Sequence, residues 1–146
     1  MATISLCMIV KNESAVLARC LDSIADLMDE IIIVDTGSTD NTKEIAAQYT
    51  SRIYDFKWTS DFSAARNFSF SKATMEYIYT ADADEILDDA NRERFLRLKG
   101  ALLPEIEIVQ MKYVTQGTFD TVLNAKKEYR PKLFRRPVSY THLRAH

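Results

Sequence analysis

Short continuous apolar runs alternate along this chain with segments whose apolar positions recur every three or four residues. Residues 4–10, ISLCMIV, form a nearly unbroken apolar run, the mark of a strand buried on both faces. Val16, Leu17, Leu21 and Ile24 follow at helical spacing, and Asn12 or Ser14 can cap that helix. Residues 30–34, EIIIV, are rich in β-branched side chains, are bounded by polar residues and read as the clearest strand. A helix is predicted over 41–49, then a third strand over 52–56. A helix capped by Asp61 runs to residue 73, and a fourth strand covers 77–81. Beyond it an Arg- and Leu-rich helix spans 89–99. Strands are predicted at 105–114 and 122–129, around a turn at 115–120.

Four strand–helix alternations in the first hundred residues predict an α/β fold: a mostly parallel, Rossmann-like sheet with helices on both faces. In such sheets ligands bind beyond the carboxyl ends of the strands. Polar clusters follow the first, second and fourth strands, so they are expected to meet at one rim. Asp35 and Asp82 are expected there on adjacent strand ends. No internal repeat and no low-complexity linker breaks the pattern.

A chain of 146 residues can hold one domain with a real core, but not two of ordinary size. Its net charge of −2, with acids and bases interleaved, supplies no electrostatic reason to bind nucleic acid or an anionic membrane surface. Cys7 falls on a strand and Cys20 on the apolar face of a helix. Both read as buried free thiols, and no Cys/His cluster suggests zinc. The first ten residues lack the basic flank of a signal peptide, and no window approaches membrane-spanning length, so a cytoplasmic location is expected. Residues 137–146, PVSYTHLRAH, continue no pattern and resemble translated adaptor sequence. They are read as a non-native tail, which leaves residues 1–136 as one interrupted domain.

Asp82-x-Asp84 comes directly after a predicted buried strand. Two carboxylates one residue apart at a strand end can approach one hard cation, Mg²⁺ or Mn²⁺, whose shell is completed by water and phosphate oxygens. Taken alone, the pair fits a solvated polar loop or a helix cap equally. Asp35-Thr36-Gly37-Ser38-Thr39-Asp40 follows the strongest strand. Gly37 permits a tight turn, and Asp35 can accept from a base or ribose, although an ordinary strand-to-helix turn has the same composition. The segment has neither a GxGxxG dinucleotide fingerprint nor a GxxxxGK[ST] phosphate loop. Lys11-Asn12-Glu13 ends the first strand at the same rim and suits capping as well as binding. Arg66 can fork onto a phosphate or pin an acidic loop, or face solvent.

Together these segments resemble family 2 glycosyltransferases of the GT-A fold. The resemblance rests on ISLCMIVKNESAVLARCLDSI, DEIIIVDTGSTDNTKEIA and DFSAARNFSFSKATMEYIYTADADEIL, in that order, and covers roughly residues 2–136. WTSDFSAARN with DADE most resembles a bacterial subgroup that includes transferases joined to helical repeats and relatives that build lipopolysaccharide core. The resemblance implies nucleotide-sugar contacts from Val10, Glu13, Asp35, Arg66 and Asp82, and a Mn²⁺ or Mg²⁺ ion on Asp82 and Asp84. The family often has a second acid where this chain has Thr36, which bears on base recognition.

The implied reaction is a single displacement that inverts the anomeric carbon of a nucleoside-diphosphate sugar, foremost a UDP-sugar. The acceptor is left open among a saccharide, a lipid-linked sugar and a peptide. In the family the general base lies beyond the segment that reads RPKLFRR here, so no residue is matched to it. Glu85 and Asp88 are the nearest guesses. Two other classes stay in view: a non-catalytic nucleotide-binding fragment, and an aspartate phosphatase of the haloacid type. The latter places its DxD after the first strand rather than the fourth.

Overall fold

In a computed structural model the structure describes residues 1–102, 107–114 and 127–136. Six strands form one sheet: β1 (Ile4–Val10), β2 (Glu30–Asp35), β3 (Ile53–Asp55), β4 (Tyr77–Thr80), β5 (Ile108–Val114) and β6 (Lys127–Arg135). Their spatial order is β3-β2-β1-β4-β6-β5, with β1 to β4 parallel and β6 antiparallel to both β4 and β5. The helices are α1 (Leu17–Ile24), α2 (Thr42–Ala46), α3 (Phe62–Ser71) and α4 (Asp89–Ala101). This is the predicted mostly parallel α/β sheet, to which β6 and β5 add an antiparallel edge that the sequence does not announce.

The core follows from the pleat. Along β1, Leu6, Met8 and Val10 join one apolar cluster with Leu17, Cys20, Leu21 and Ile24 of α1 and Phe95 of α4. Cys7 turns to the opposite face and packs with Ile32, Val34, Phe70 of α3 and Ile78. Successive side chains of a strand point to opposite faces, so a strand buried on both faces must read as continuous apolar sequence. Ile4–Val10 does.

Several boundaries differ from expectation for identifiable reasons. Helix α1 starts at Leu17 with no side-chain cap, so neither Asn12 nor Ser14 has that role. Asn12 instead takes a left-handed backbone (φ 53°) and spends its side chain on the neighbouring loop. Helix α2 is shorter than the predicted 41–49, because its last turn tightens around the Ala46 carbonyl, which accepts from Tyr49 and Thr50. Asp61 caps α3 as expected, accepting from the Ala64 amide at 3.2 Å. The largest correction concerns β6, predicted to end at residue 129 but running through Arg135. Its last six residues, RPKLFR, hide a strand behind Pro131 and three basic residues, yet Leu133 is fully buried. Residues 103–106 and 121–126, which carry parts of the predicted fifth and sixth strands, and the predicted turn at 115–120, lie outside the described residues, as does 137–146.

Candidate functional site

The order of the sheet reverses at β1: β2 and β3 lie on one side of it, β4 and β6 on the other. At such a switch point the loops leave in opposite directions and open a crevice beyond the carboxyl ends of the strands. Asp35 ends β2, Glu13 follows β1, and Asp82 and Asp84 follow β4. Asp35 and Asp82 are therefore not on adjacent strands, as the sequence suggests, because β1 runs between them. Glu13 stands at the strand end between the two.

The loops after β1 and β2 are tied together. The Asn12 Oδ1 accepts from the backbone amides of Thr39 (2.8 Å) and Asp40 (3.3 Å), and the Asn12 amide donates to Ser38 Oγ at 2.9 Å. The Glu13 amide donates to Thr42 Oγ1 at 2.9 Å, and the Ser14 amide to Asp40 Oδ2 at 3.3 Å. Asp40 also accepts from the Thr42 hydroxyl, and this bond foremost lowers its pKa to about 2. This use of Asn12 and Asp40 is not evident from local sequence. Both residue types tolerate unusual turns and bond nearby amides, which was the available signal.

Asp35 is only 2% exposed. Its Oδ1 accepts from the Gly37 amide (2.9 Å) and the Ser38 amide (2.8 Å), a turn that needs the positive φ of 120° at Gly37. Its Oδ2 is buried and has no hydrogen-bond partner. A buried acceptor without a donor costs about 1–3 kcal/mol. Val10 is the register partner of Asp35, but its side chain is buried. Its carbonyl is already engaged by the Thr36 amide (3.0 Å) and hydroxyl (3.4 Å). The residue that stands where the family often has an acid thus fastens two strand ends together.

In Ala81-Asp82-Ala83-Asp84 the two alanines are buried and the two aspartates exposed, so both carboxylates face the rim. The Glu13 carboxyl is pushed above its ordinary pKa, first by desolvation and then by the charges of Asp84, Asp82 and Asp40. Four acids thus share one electrostatic neighbourhood. Among the described residues no set of three His, Cys, Asp or Glu side chains cages a metal unaided. Mg²⁺ and Mn²⁺ are commonly held by one or two carboxylates, with water and substrate phosphate completing the shell.

Glu85 and Asp88 have other duties. Glu85 pairs with Lys132 of β6, its two oxygens 2.7 and 2.9 Å from Nζ, and Asp88 caps α4 by accepting from Asn91 at 2.9 Å. Arg66 lies on α3 with its guanidinium over the rings of Phe70 (5.2 Å) and Phe134 (5.0 Å). Burial lowers its pKa, and its ring partner Phe70 belongs to the apolar cluster on the α3 face of the sheet, the face opposite α1. A recess of about 680 Å³ at the opposite rim is lined by Asp26, Asp29, Glu30 and Arg52 among others. These groups are paired internally: Asp26 with Arg92, Asp29 with Lys99, and Glu30 with Arg52. Among the described residues two buried side-chain atoms lack a hydrogen-bond partner: Asp35 Oδ2 at the carboxyl rim and Arg135 Nε, beside the start of β4, at the opposite one.

Known proteins of the same build can now be compared. Glycosyl transferase family 2 matches residues 5–144. A TPR repeat-containing protein of Synechococcus elongatus is 48% identical over 87 residues, 60% of this chain and 22% of its own length. The SPbeta prophage-derived glycosyltransferase SunS of Bacillus subtilis is 34% identical over 152 residues, 96% of this chain and 36% of its own. The chain therefore spans roughly a third or less of these curated relatives. Among solved structures, the glucosyl-3-phosphoglycerate synthase of Mycobacterium tuberculosis in complex with UDP superposes with a TM-score of 0.52 at 27% identity. That match covers 58% of this chain and 35% of the synthase. The same synthase has been solved with Mn²⁺ and UDP-glucose, at a TM-score of 0.51, with 27% identity over 58% of this chain and 34% of the synthase. With that family matched over nearly the whole length, the chain belongs to glycosyl transferase family 2.

Proposed function

We propose that this chain forms the donor side of an inverting glycosyltransferase whose substrate is a nucleoside-diphosphate sugar, foremost a UDP-sugar. The observation that carries the reading is the buried Asp35 Oδ2, which lacks a donor at the end of a strand beside the acid cluster. A nucleoside N–H or O–H would satisfy it. The Asp35 turn is rigidly held, so that contact would cost little reorganisation. The synthase that this chain resembles has been solved with UDP and with Mn²⁺ and UDP-glucose, which supports the same ligand class here.

Asp82 and Asp84 would hold Mn²⁺ or Mg²⁺, and Asp82 would also lie near the ribose. The bound ion supplies Lewis-acid stabilisation of the charge on the departing diphosphate. Glu13 adds negative potential from the β1 loop, which raises the demand for a cation before a diphosphate can approach. Arg66 carries no carboxylate partner among the described residues, and its guanidinium is suited to fork onto nucleotide or diphosphate oxygens. Displacement from the face opposite the leaving group inverts the anomeric carbon. The acceptor's proton goes to a base other than Glu85, which is held by Lys132, or Asp88, which caps a helix. A saccharide, a lipid-linked sugar and a peptide all fit as acceptor. Among the described residues no helix is long and apolar enough to cross a membrane.

The test is a thermal-shift panel of nucleoside diphosphates and their sugars, each with and without Mn²⁺. A ligand that binds only the folded chain raises its Tm by mass action. UDP with Mn²⁺ is expected to give the largest rise, and no rise with any nucleotide–metal pair would refute the assignment.

A further inference from the structure

Behind the Asp82–Asp84 segment, the structure carries a charge pair that the donor-binding reading does not use. Lys132 and Glu85 are both largely buried, with side chains 10% and 15% exposed, and Nζ lies 2.7 and 2.9 Å from the two carboxylate oxygens. Burying such a pair costs desolvation energy that the mutual attraction repays only with good geometry and further hydrogen bonds to the buried groups. Glu85 Oε1 also accepts the backbone N–H of Asp82 at 3.0 Å, and the Glu85 amide donates to the Asp82 carbonyl at 3.0 Å. Cys20 of α1 supports the same carbonyl with its thiol at 3.6 Å. Both polar groups of the Asp82 backbone are therefore held from behind while its carboxylate stays exposed.

The backbone of β6 explains how Lys132 reaches this place. In the register with β5, Val109 pairs with Leu133 and Gln110 with Pro131, so Lys132 is the extra residue of a bulge. A bulge re-aims the side chain of its extra residue, and proline is tolerated in a strand at such a break. Leu133 pairs with Tyr79 of β4, and simple alternation would send Lys132 to the other face. Its ammonium instead lies 5.7 Å from the Tyr79 ring centre, on the side of α1 and the acid segment. The Thr80 hydroxyl, donating to the Lys132 carbonyl at 3.4 Å, fastens the bulge to the end of β4.

We propose that Lys132 is a positioning residue: through Glu85 it fixes the Asp82 backbone, and so sets the spacing and aim of the two carboxylates that grip the donor's metal. The inference rests on the metal-binding reading of Asp82 and Asp84. Lys132 itself touches neither substrate nor metal in this role. Loss of a partner that orients a metal ligand typically lowers metal affinity about 10–100-fold.

The experiment measures UDP affinity of the chain by calorimetry, with Mn²⁺ and with EDTA, for the unaltered protein, Lys132→Met and Lys132→Arg. Hydrogen exchange at the Asp82 amide is read alongside. Lys132→Met should weaken Mn²⁺-dependent UDP binding about tenfold, leave the EDTA value within twofold, and speed exchange at Asp82. Lys132→Arg should recover most of both. Because Lys132→Met leaves a buried carboxylate unpaired and can unfold the chain, Lys132→Met combined with Glu85→Gln is measured too. That neutral pair should show the same tenfold loss. Unchanged Mn²⁺-dependent affinity in either folded variant would overturn the proposal, as would fast exchange at Asp82 in the unaltered chain. Absence of any Mn²⁺ effect in the unaltered chain would instead refute the metal reading on which it stands.

Discussion

On the proposed reading Asp35 has two duties, one in the fold and one toward the ligand. One oxygen organises the turn after β2 and the other is buried without a donor. Asp35→Asn separates the two duties, since the amide oxygen can still accept from Gly37 and Ser38 while the NH₂ group cannot accept from a nucleoside. A hydrogen bond to a charged group contributes about 1.5–3 kcal/mol, so UDP affinity should fall roughly ten- to a hundredfold. The Tm of the free protein should scarcely move. Calorimetric titration beside a melting curve checks both, and unchanged affinity would remove Asp35 from the site. The sequence made Asp35, Asp82 and Asp84 visible because each sits in a polar cluster directly after an apolar strand. It hid the engagement of Val10 by Thr36 and the pairing of Glu85 with Lys132, since both are long-range contacts that local spacing does not encode.

At the scale of elements, the rim depends on two kinds of attachment. Helix α1 is attached by burial: Leu17, Cys20, Leu21 and Ile24 are buried against the sheet. Leu21 is fully buried, and Leu21→Ala should cost about 2–5 kcal/mol, seen as a lowered urea midpoint with an unchanged slope. The loops after β1 and β2 are attached by hydrogen bonds that converge on Asn12 and Asp40. Bonding from Thr42 and Ser14 holds the Asp40 pKa down at about 2, below its unfolded value. A depressed carboxyl pKa stabilises the fold above the unfolded value, and that contribution is lost as pH falls through the folded one. Between pH 4 and 2 the unaltered chain should therefore lose Tm more steeply than Asp40→Asn, and parallel melting curves across this window would contradict the assignment. Apolar periodicity revealed α1 and β1 because burial writes itself into the sequence. The start of α1 was misjudged because Asn12 and Ser14 look like caps, yet their polar atoms are spent on the next loop. Only the first residues of β6 are legible, because beyond Tyr129 its bulge, its proline and its basic residues break the alternation that identifies strands.

For the whole molecule, the order β3-β2-β1-β4 brings Asp35, Glu13, Asp82 and Asp84 to one rim although they are spread across seventy residues of sequence. The alternation of strands and helices was sufficient to predict that rim. It was not sufficient to predict that β1 would separate Asp35 from Asp82, because strand order depends on how the layers pack rather than on local pattern. The arrangement joins a buried, unpartnered oxygen at the end of β2 to a cluster of acids after β1 and β4, and the proposed ligand, a nucleoside diphosphate bridged by a cation, would complement both. The most direct test is calorimetric titration of the chain with UDP, in Mn²⁺ and in EDTA, beside Asp84→Asn. Binding should be clear in Mn²⁺ and weak in EDTA, and Asp84→Asn should lose most of the difference between them. Equal affinity in Mn²⁺ and EDTA for the unaltered protein would contradict the account.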